Sequence, residues 1–306
     1  MREFSFENKG TRIYCYAWDE AVDPIGIVLF AHDMGDYAKR QDEFAAIMNA
    51  NGYIVVAPDL RGHGRTCGGY DHRGETEGDT FFDSVDDLHK LASYAITQYH
   101  LPLLLVGVGY GSYLAQAYLY KHPDTLRGAV LIGSSYMNTL GSFLGNVIVS
   151  TQIGFVDAKN NAGFICRFLT DKYDKQFEHE KLRYGWLTRD KVEVQTYVAD
   201  PFCGAQFIHS MGFMQALFRG AAKNCYANRL AKIPDAMPIL LLSGDSDPVG
   251  KNGIGVRKLY EIYIGHGKKN TQIKLYPEAR HDLLREINRD EVYLDLLNFA
   301  HQCMGV

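Results

Sequence analysis

The stretch LLLVGVGYGSY, residues 103–113, decides how this chain is read. An apolar strand stops at a glycine, turns through further glycines and leaves with helical spacing. This outline matches the frame G-x-S-x-G, in which the central residue sits on a strained strand-to-helix turn that lifts its side chain above a sheet. Gly107 and Gly111 hold the flanks and Gly109 the centre. A glycine supplies no hydroxyl, thiol or carboxylate, so a nucleophile elbow here has its frame without its nucleophile. Taken alone, the three glycines also fit a phosphate-cradling loop or a plain tight βα turn.

The surrounding sequence narrows these alternatives. Upstream, Ile25–Ala31 is a continuous apolar run, as expected of a parallel strand buried on both faces, and it leads into His32-Asp33-Met34-Gly35. Helical spacing follows over Gln41–Asn51, then a second buried strand over Tyr53–Ala57. A polar, glycine-rich loop runs to about Asp79, and a helix is expected over Phe82–Tyr99. Beyond the glycine turn come a helix over Ser112–Lys121 and a strand over Gly128–Gly133. Such alternation predicts an α/β fold built on a mostly parallel, doubly wound sheet. Residues 2–7 and 11–18 alternate around Asn8-Lys9-Gly10 and read as an antiparallel edge hairpin.

From residue 134 to 233 the pattern changes to helical apolar stretches, Leu140–Val149 and Phe207–Phe218, separated by charged or irregular segments. The sheet pattern resumes with a strand at Pro238–Ser243, a helix at Val256–Ile264, a strand at Thr271–Tyr276 and a helix at Glu291–Cys303. The expected organisation is therefore a core of residues 1–133 and 234–306 with residues 134–233 inserted as a helical cap, or lid.

Composition bounds the function classes. With 306 residues, 46% hydrophobic, 22% charged and a net charge of −4, the chain has no basic stripe to suggest nucleic acid. The N-terminus lacks a signal-peptide core and no apolar run approaches the ~20 residues that span a bilayer, so a cytoplasmic protein without stable membrane insertion is expected. Six dispersed cysteines form no C-x-x-C pair and no zinc spacing, which argues for free thiols and no metal. A dinucleotide-binding reading would need the glycine loop after the first strand, whereas Gly107 follows a mid-chain one. No cofactor is expected, and the oligomeric state is left open.

The late strands supply the remaining chemistry. One ends in Gly244-Asp245-Ser246-Asp247-Pro248-Val249, the other in Pro277-Glu278-Ala279-Arg280-His281-Asp282. A glycine-flanked turn, then an acid after a later strand, then a histidine after the last strand, is the chain order of an α/β-hydrolase triad.

On these stretches, together with His32–Asp36, Asp59–Thr66 and the segments 186–190 and 197–201, the chain resembles α/β-hydrolases of the monoglyceride lipase and lysophospholipase type, grouped with the S33 serine aminopeptidases. The resemblance covers nearly the whole sequence. It implies an α/β-hydrolase fold and a carboxylic ester hydrolase acting on a small apolar ester or acyl substrate. By the same resemblance His281 is the general base, Asp247 rather than Asp245 orients it, and the backbone N–H groups of Met34 and Tyr110 form the oxyanion hole. His63 reads as a structural loop residue, and Ser112, one helical turn beyond Gly109, as packed in the helix.

Two positions depart from the family pattern. The serine expected at the elbow is Gly109, and the glycine expected after the loop histidine is Asp33, whose carboxylate would repel an oxyanion. Three accounts fit Gly109: an inactivating change in a serine esterase, a pseudoenzyme that binds an apolar acyl or ester ligand, or hydrolysis by a water admitted into the vacated space and activated by His281. On the first account, Gly109→Ser alone restores labelling by fluorophosphonates.

Overall fold

The computed structural model describes residues 1–76, 78–137, 157–204 and 207–306. Eight strands, each close to a stretch marked by the hydrophobic pattern, form one sheet: β1 (Arg2–Asn8), β2 (Thr11–Trp18), β3 (Gly26–Ala31), β4 (Tyr53–Pro58), β5 (Leu103–Val108), β6 (Gly128–Ile132), β7 (Ile239–Gly244) and β8 (Thr271–Tyr276). Their order is β1-β2-β4-β3-β5-β6-β7-β8. The β1–β2 hairpin is antiparallel and joins β4 antiparallel, while β4 through β8 are parallel. The chain therefore has the mostly parallel α/β sheet that the alternation predicts.

The helices are α1 (Asp42–Ala50), α2 (Thr80–Tyr99), α3 (Tyr110–Lys121), α4 (Gly163–Asp174), α5 (Lys191–Ala199), α6 (Met211–Ala221), the single turn α7 (Ala227–Leu230), α8 (Ile254–Gly265) and α9 (Arg289–Met304). Strand β5 shows why both faces of the sheet need cover. Leu103 and Leu105 join a cluster with Leu88 and Leu91 of α2, Leu114 of α3 and Leu259 of α8. Leu104, Val106 and Val108 point the other way, into a cluster with Phe44 and Met48 of α1 and Val292, Leu296 and Phe299 of α9. Every residue of β5 is buried, which is what a continuous apolar run encodes.

Between β6 and β7 the sequence reading is less complete. The expected helix at Leu140–Val149 lies outside the described residues. The one expected over Phe207–Phe218 starts later, as α6, because Ser210 takes an extended backbone and its Oγ accepts from the Phe213 N–H at 3.2 Å, capping the helix there. Helix α4 is not among the expected elements: none of its residues is fully buried, though Ile165, Cys166 and Leu169 pack partly buried against the core. Helix α5 starts at an Asp190 cap, whose carboxylate accepts from the N–H groups of Val192 and Glu193. Among the described residues no helix is long and apolar enough to cross a membrane.

What this architecture fixes for function is adjacency. Ala31 at the end of β3 pairs with Gly107 in β5, so the loop 32–36 and the turn after β5 leave the sheet side by side. Gly244 at the end of β7 pairs with Tyr276 at the end of β8, which brings the two late loops together.

Candidate active site

The turn from β5 into α3 is built by close packing. A Cβ on Gly111 would lie 2.0 Å from the carbonyl oxygen of Ala31, so the start of the helix can rest on β3 only if that side chain is absent. Gly109 has φ 50° and ψ −113°, a conformation side chains rarely adopt. Its N–H donates to Ile132 O at 2.9 Å, which pins the turn to β6. Ser112 donates its Oγ–H back to Gly109 O at 2.6 Å and lies 2.9 Å from Ser134 Oγ, fully buried. It is a packed helix residue with its hydroxyl engaged.

The space over Gly109 is filled by the side chain of Asp33. A Cβ on Gly109 would fall 1.9 Å from Asp33 Oδ1 and 2.1 Å from its Cγ. Asp33 Oδ1 accepts from two backbone donors at once, Met34 N–H at 2.6 Å and Tyr110 N–H at 2.6 Å. These are the two groups that the resemblance designates as oxyanion donors. The other oxygen, Oδ2, lies 3.2 Å from His281 Nε2. The loop is held from beneath by His32: Leu60 N–H donates to Nε2 at 2.9 Å, leaving the Nδ1–H to donate to Asp33 O at 2.7 Å.

On the other side of His281 stands Asp247, with no exposed surface. Its Oδ2 is 3.0 Å from His281 Nδ1, and its Oδ1 accepts from Val249 N–H at 2.8 Å. Asp245 has a different task, accepting from Glu278 N–H at 2.7 Å and so tying the β7 loop to the β8 loop. Burial disfavours a charged His281, but the carboxylates of Asp247 and Asp33 outweigh it, and the pKa of the ring is held well above its ordinary value. The ring is an imidazolium donating both N–H groups, one to each carboxylate. In that state Nε2 has no lone pair with which to take a proton.

Above this cluster lies a cavity of about 170 Å³, lined mainly by apolar and aromatic groups that include Met34, Tyr113, Trp186, Phe207 and Met214, with Asp33, Gly109 and His281 at its floor. Trp186 also packs on the His281 ring, with centroids 5.3 Å apart. Among the described residues the Tyr113 hydroxyl and the Trp186 indole N–H are buried without a hydrogen-bond partner.

His63 belongs to the scaffold. Its Nδ1–H donates to Arg61 O at 2.9 Å and its Nε2 is 3.2 Å from His209 Nε2. Burial, with His32 and His209 nearby, pushes the His63 pKa well down, and burial alone takes His209 down to about 3. Both rings are neutral, one donating to the other.

The structure thus brings together Met34, Gly109, Tyr110, Asp247 and His281, all named from sequence. Sequence reasoning did not place Asp33 in the gap at Gly109, nor find Tyr113, Trp186 and His209. The signal for the first was present: a side chain lost at one loop and a carboxylate gained at its neighbour. The water-filled space imagined over Gly109 is not there, because the Asp33 carboxylate occupies it.

The sequence model of the family described as "Serine aminopeptidase, S33" matches residues 22–288. A monoacylglycerol lipase of Mycolicibacterium smegmatis is 25% identical over 294 residues, covering 95% of this chain and 93% of its own. Among solved structures, a thermostable carboxyl esterase from Bacillus coagulans superposes with a TM-score of 0.91 at 24% identity, covering 99% of this chain and 98% of that one. A monoglyceride lipase from Saccharomyces cerevisiae gives 0.76 at 20% identity, with 98% and 94% covered.

Proposed function

Because the chain belongs to the Serine aminopeptidase S33 family of α/β-hydrolases, we propose that it is a lipase- or esterase-type site for a small apolar ester or acyl compound in which the serine route is closed. Gly109 stands where the attacking hydroxyl would be carried, Asp247 and His281 form the acid–base pair, and Met34 N–H and Tyr110 N–H are the oxyanion donors. Residues 134–233 act as the cap over the cavity. One observation carries the reading: Asp33 Oδ1 accepts from both donors while Oδ2 faces His281, so the carboxylate holds the positions that a serine adduct would take. An ester carbonyl has no donors left to enter, and the imidazolium between two carboxylates cannot serve as the base.

Loss of one triad member lowers turnover by on the order of 10⁴ to 10⁶ in serine hydrolases, so the protein is expected to be inert toward fluorophosphonates and short-chain p-nitrophenyl esters. Gly109→Ser alone, enough on the sequence reading, is now expected to fail, because its Cβ would collide with Asp33. The pair Asp33→Gly with Gly109→Ser empties the gap and supplies the hydroxyl, and it is expected to gain both labelling and ester hydrolysis. A folded double variant that gains neither overturns the assignment. The ground-state imidazolium also favours a second reading, retention of an apolar ligand without cleavage; an acyl compound co-purifying with the wild-type protein would support it.

A further inference from the structure

We propose that Asp33 is a nucleophile in its own right, and that the site hydrolyses an apolar epoxide through an ester on the Asp33 carboxylate. The inference rests on the hydrolase-type reading above and names the substrate class of the same cavity. Three observations lead to it.

Asp33 presents a carboxylate to the cavity, its side chain 18% exposed, and carboxylates are competent nucleophiles when positioned. Next, Oδ1 is fixed by two N–H donors, leaving Oδ2 as the attacking atom. The occupied donors restrict what Oδ2 can attack. A carbonyl carbon would develop an oxyanion with neither backbone donor free to receive it, whereas displacement at a tetrahedral carbon places its negative charge on the leaving atom, away from those two donors. Finally, a leaving oxygen needs a hydrogen-bond donor inside an apolar chamber. The Tyr113 hydroxyl and Trp186 indole N–H, both on more than nine-tenths buried residues that line the cavity, have no other partner among the described residues.

The steps balance as a hydrolysis. Oδ2 attacks one epoxide carbon, the C–O bond to that carbon breaks, and the ring oxygen takes the proton of Tyr113. The product is a hydroxyalkyl ester of Asp33. Esterification removes one of the two negative charges facing His281, so the imidazolium gives up its proton and restores the Tyr113 hydroxyl. Neutral His281 now takes a proton from water as that water attacks Asp33 Cγ, and the oxyanion forms on Oδ1, where Met34 N–H and Tyr110 N–H already point. Collapse expels the alkoxide, which takes the proton from His281. The new Asp33 carboxylic acid protonates His281 again, and the sum is epoxide plus water giving diol. The arrangement that closes the serine route is the one this second step requires.

The test uses the wild-type protein in excess over styrene oxide or 1,2-epoxyhexane in oxygen-18 water, so that each molecule turns over once. Support is diol carrying ordinary oxygen, together with one oxygen-18 in the peptide that contains Asp33. Diol carrying oxygen-18, with the peptide unlabelled, overturns the proposal in favour of direct attack by water; absence of diol from both epoxides overturns it as well. His281→Gln is expected to stop at the ester and show a mass gain of one whole epoxide on that peptide, with Tyr113→Phe slowing its formation on the order of 10²-fold. Asp33→Asn is expected to abolish both signals while still binding the epoxide in calorimetry. Binding of the epoxide by the wild-type protein without diol or ester refutes the nucleophile and leaves the hydrolase-type reading standing; that reading fails separately if the Asp33→Gly, Gly109→Ser protein gains no labelling.

Discussion

Placing a serine at position 109 tests the coupling between the two unusual loops. A Cβ there would lie 1.9 Å from Asp33 Oδ1 and 2.5 Å from Oδ2, so the carboxylate has to leave. Departure breaks its bonds to Met34 N–H and Tyr110 N–H, both at 2.6 Å, and its contact with His281 at 3.2 Å. Hydrogen bonds to charged groups contribute about 1.5–3 kcal/mol each, and part of that returns as hydration once the carboxylate reaches solvent, so the lost interactions come to roughly 2–5 kcal/mol. The side chain also meets the strained backbone at φ 50°, which adds about 1–3 kcal/mol. The second cost is present whether or not Asp33 remains, so it cancels in a double-mutant cycle.

Gly109→Ser, Asp33→Gly and the double variant, compared by urea denaturation, isolate the first cost. The expected coupling is about 2 kcal/mol or more, with the double variant more stable than the sum of the singles allows. Sites that do not interact add within about 0.3–0.5 kcal/mol. A cycle that closes within that margin refutes the claim that the two loops share one space.

Other consequences are simpler to read. The folded pKa of His281 is raised, so the stability its pairing contributes is fully present below about pH 6.5, the ordinary histidine value, and is lost as pH rises through the folded pKa. In Asp33→Asn one carboxylate is gone, and the loss is expected to set in at lower pH; following the His281 ring by NMR across the titration checks it, and an unchanged midpoint refutes it. Glu286, fully buried, takes Arg280 N–H and Arg189 N–H on one oxygen and Arg189 Nε–H and Ile287 N–H on the other, joining the loop of His281 to the segment before α5. Glu286→Ala leaves those donors unpaired and is expected to cost about 3–5 kcal/mol in denaturation, with any surviving folded fraction showing a displaced His281 ring.

The sequence by itself determined the fold and the identity of most of the site. Strands buried on both faces must be continuous apolar runs, helices that cover them must be periodic, and the residues that follow strand ends are set by chain order. Gly109, Asp247 and His281 stand out in that way, whereas Met34 and Tyr110 come only from the family resemblance. The irregular segment between β6 and β7 was harder, since α4 only partly buries its apolar side chains, Ile165, Cys166 and Leu169 among them.

Only the tertiary structure decided what Gly109 and Asp33 mean to one another. Their loops follow different strands, and nothing local relates a missing side chain in one to a carboxylate in the other. Pairing of β3 with β5 sets the two loops side by side, and hydrogen-bond geometry then gives one carboxylate both backbone donors and the imidazole. Chain order specifies which groups are present at the strand ends; sheet register specifies which of them touch, and in this protein the chemistry depends on the touching.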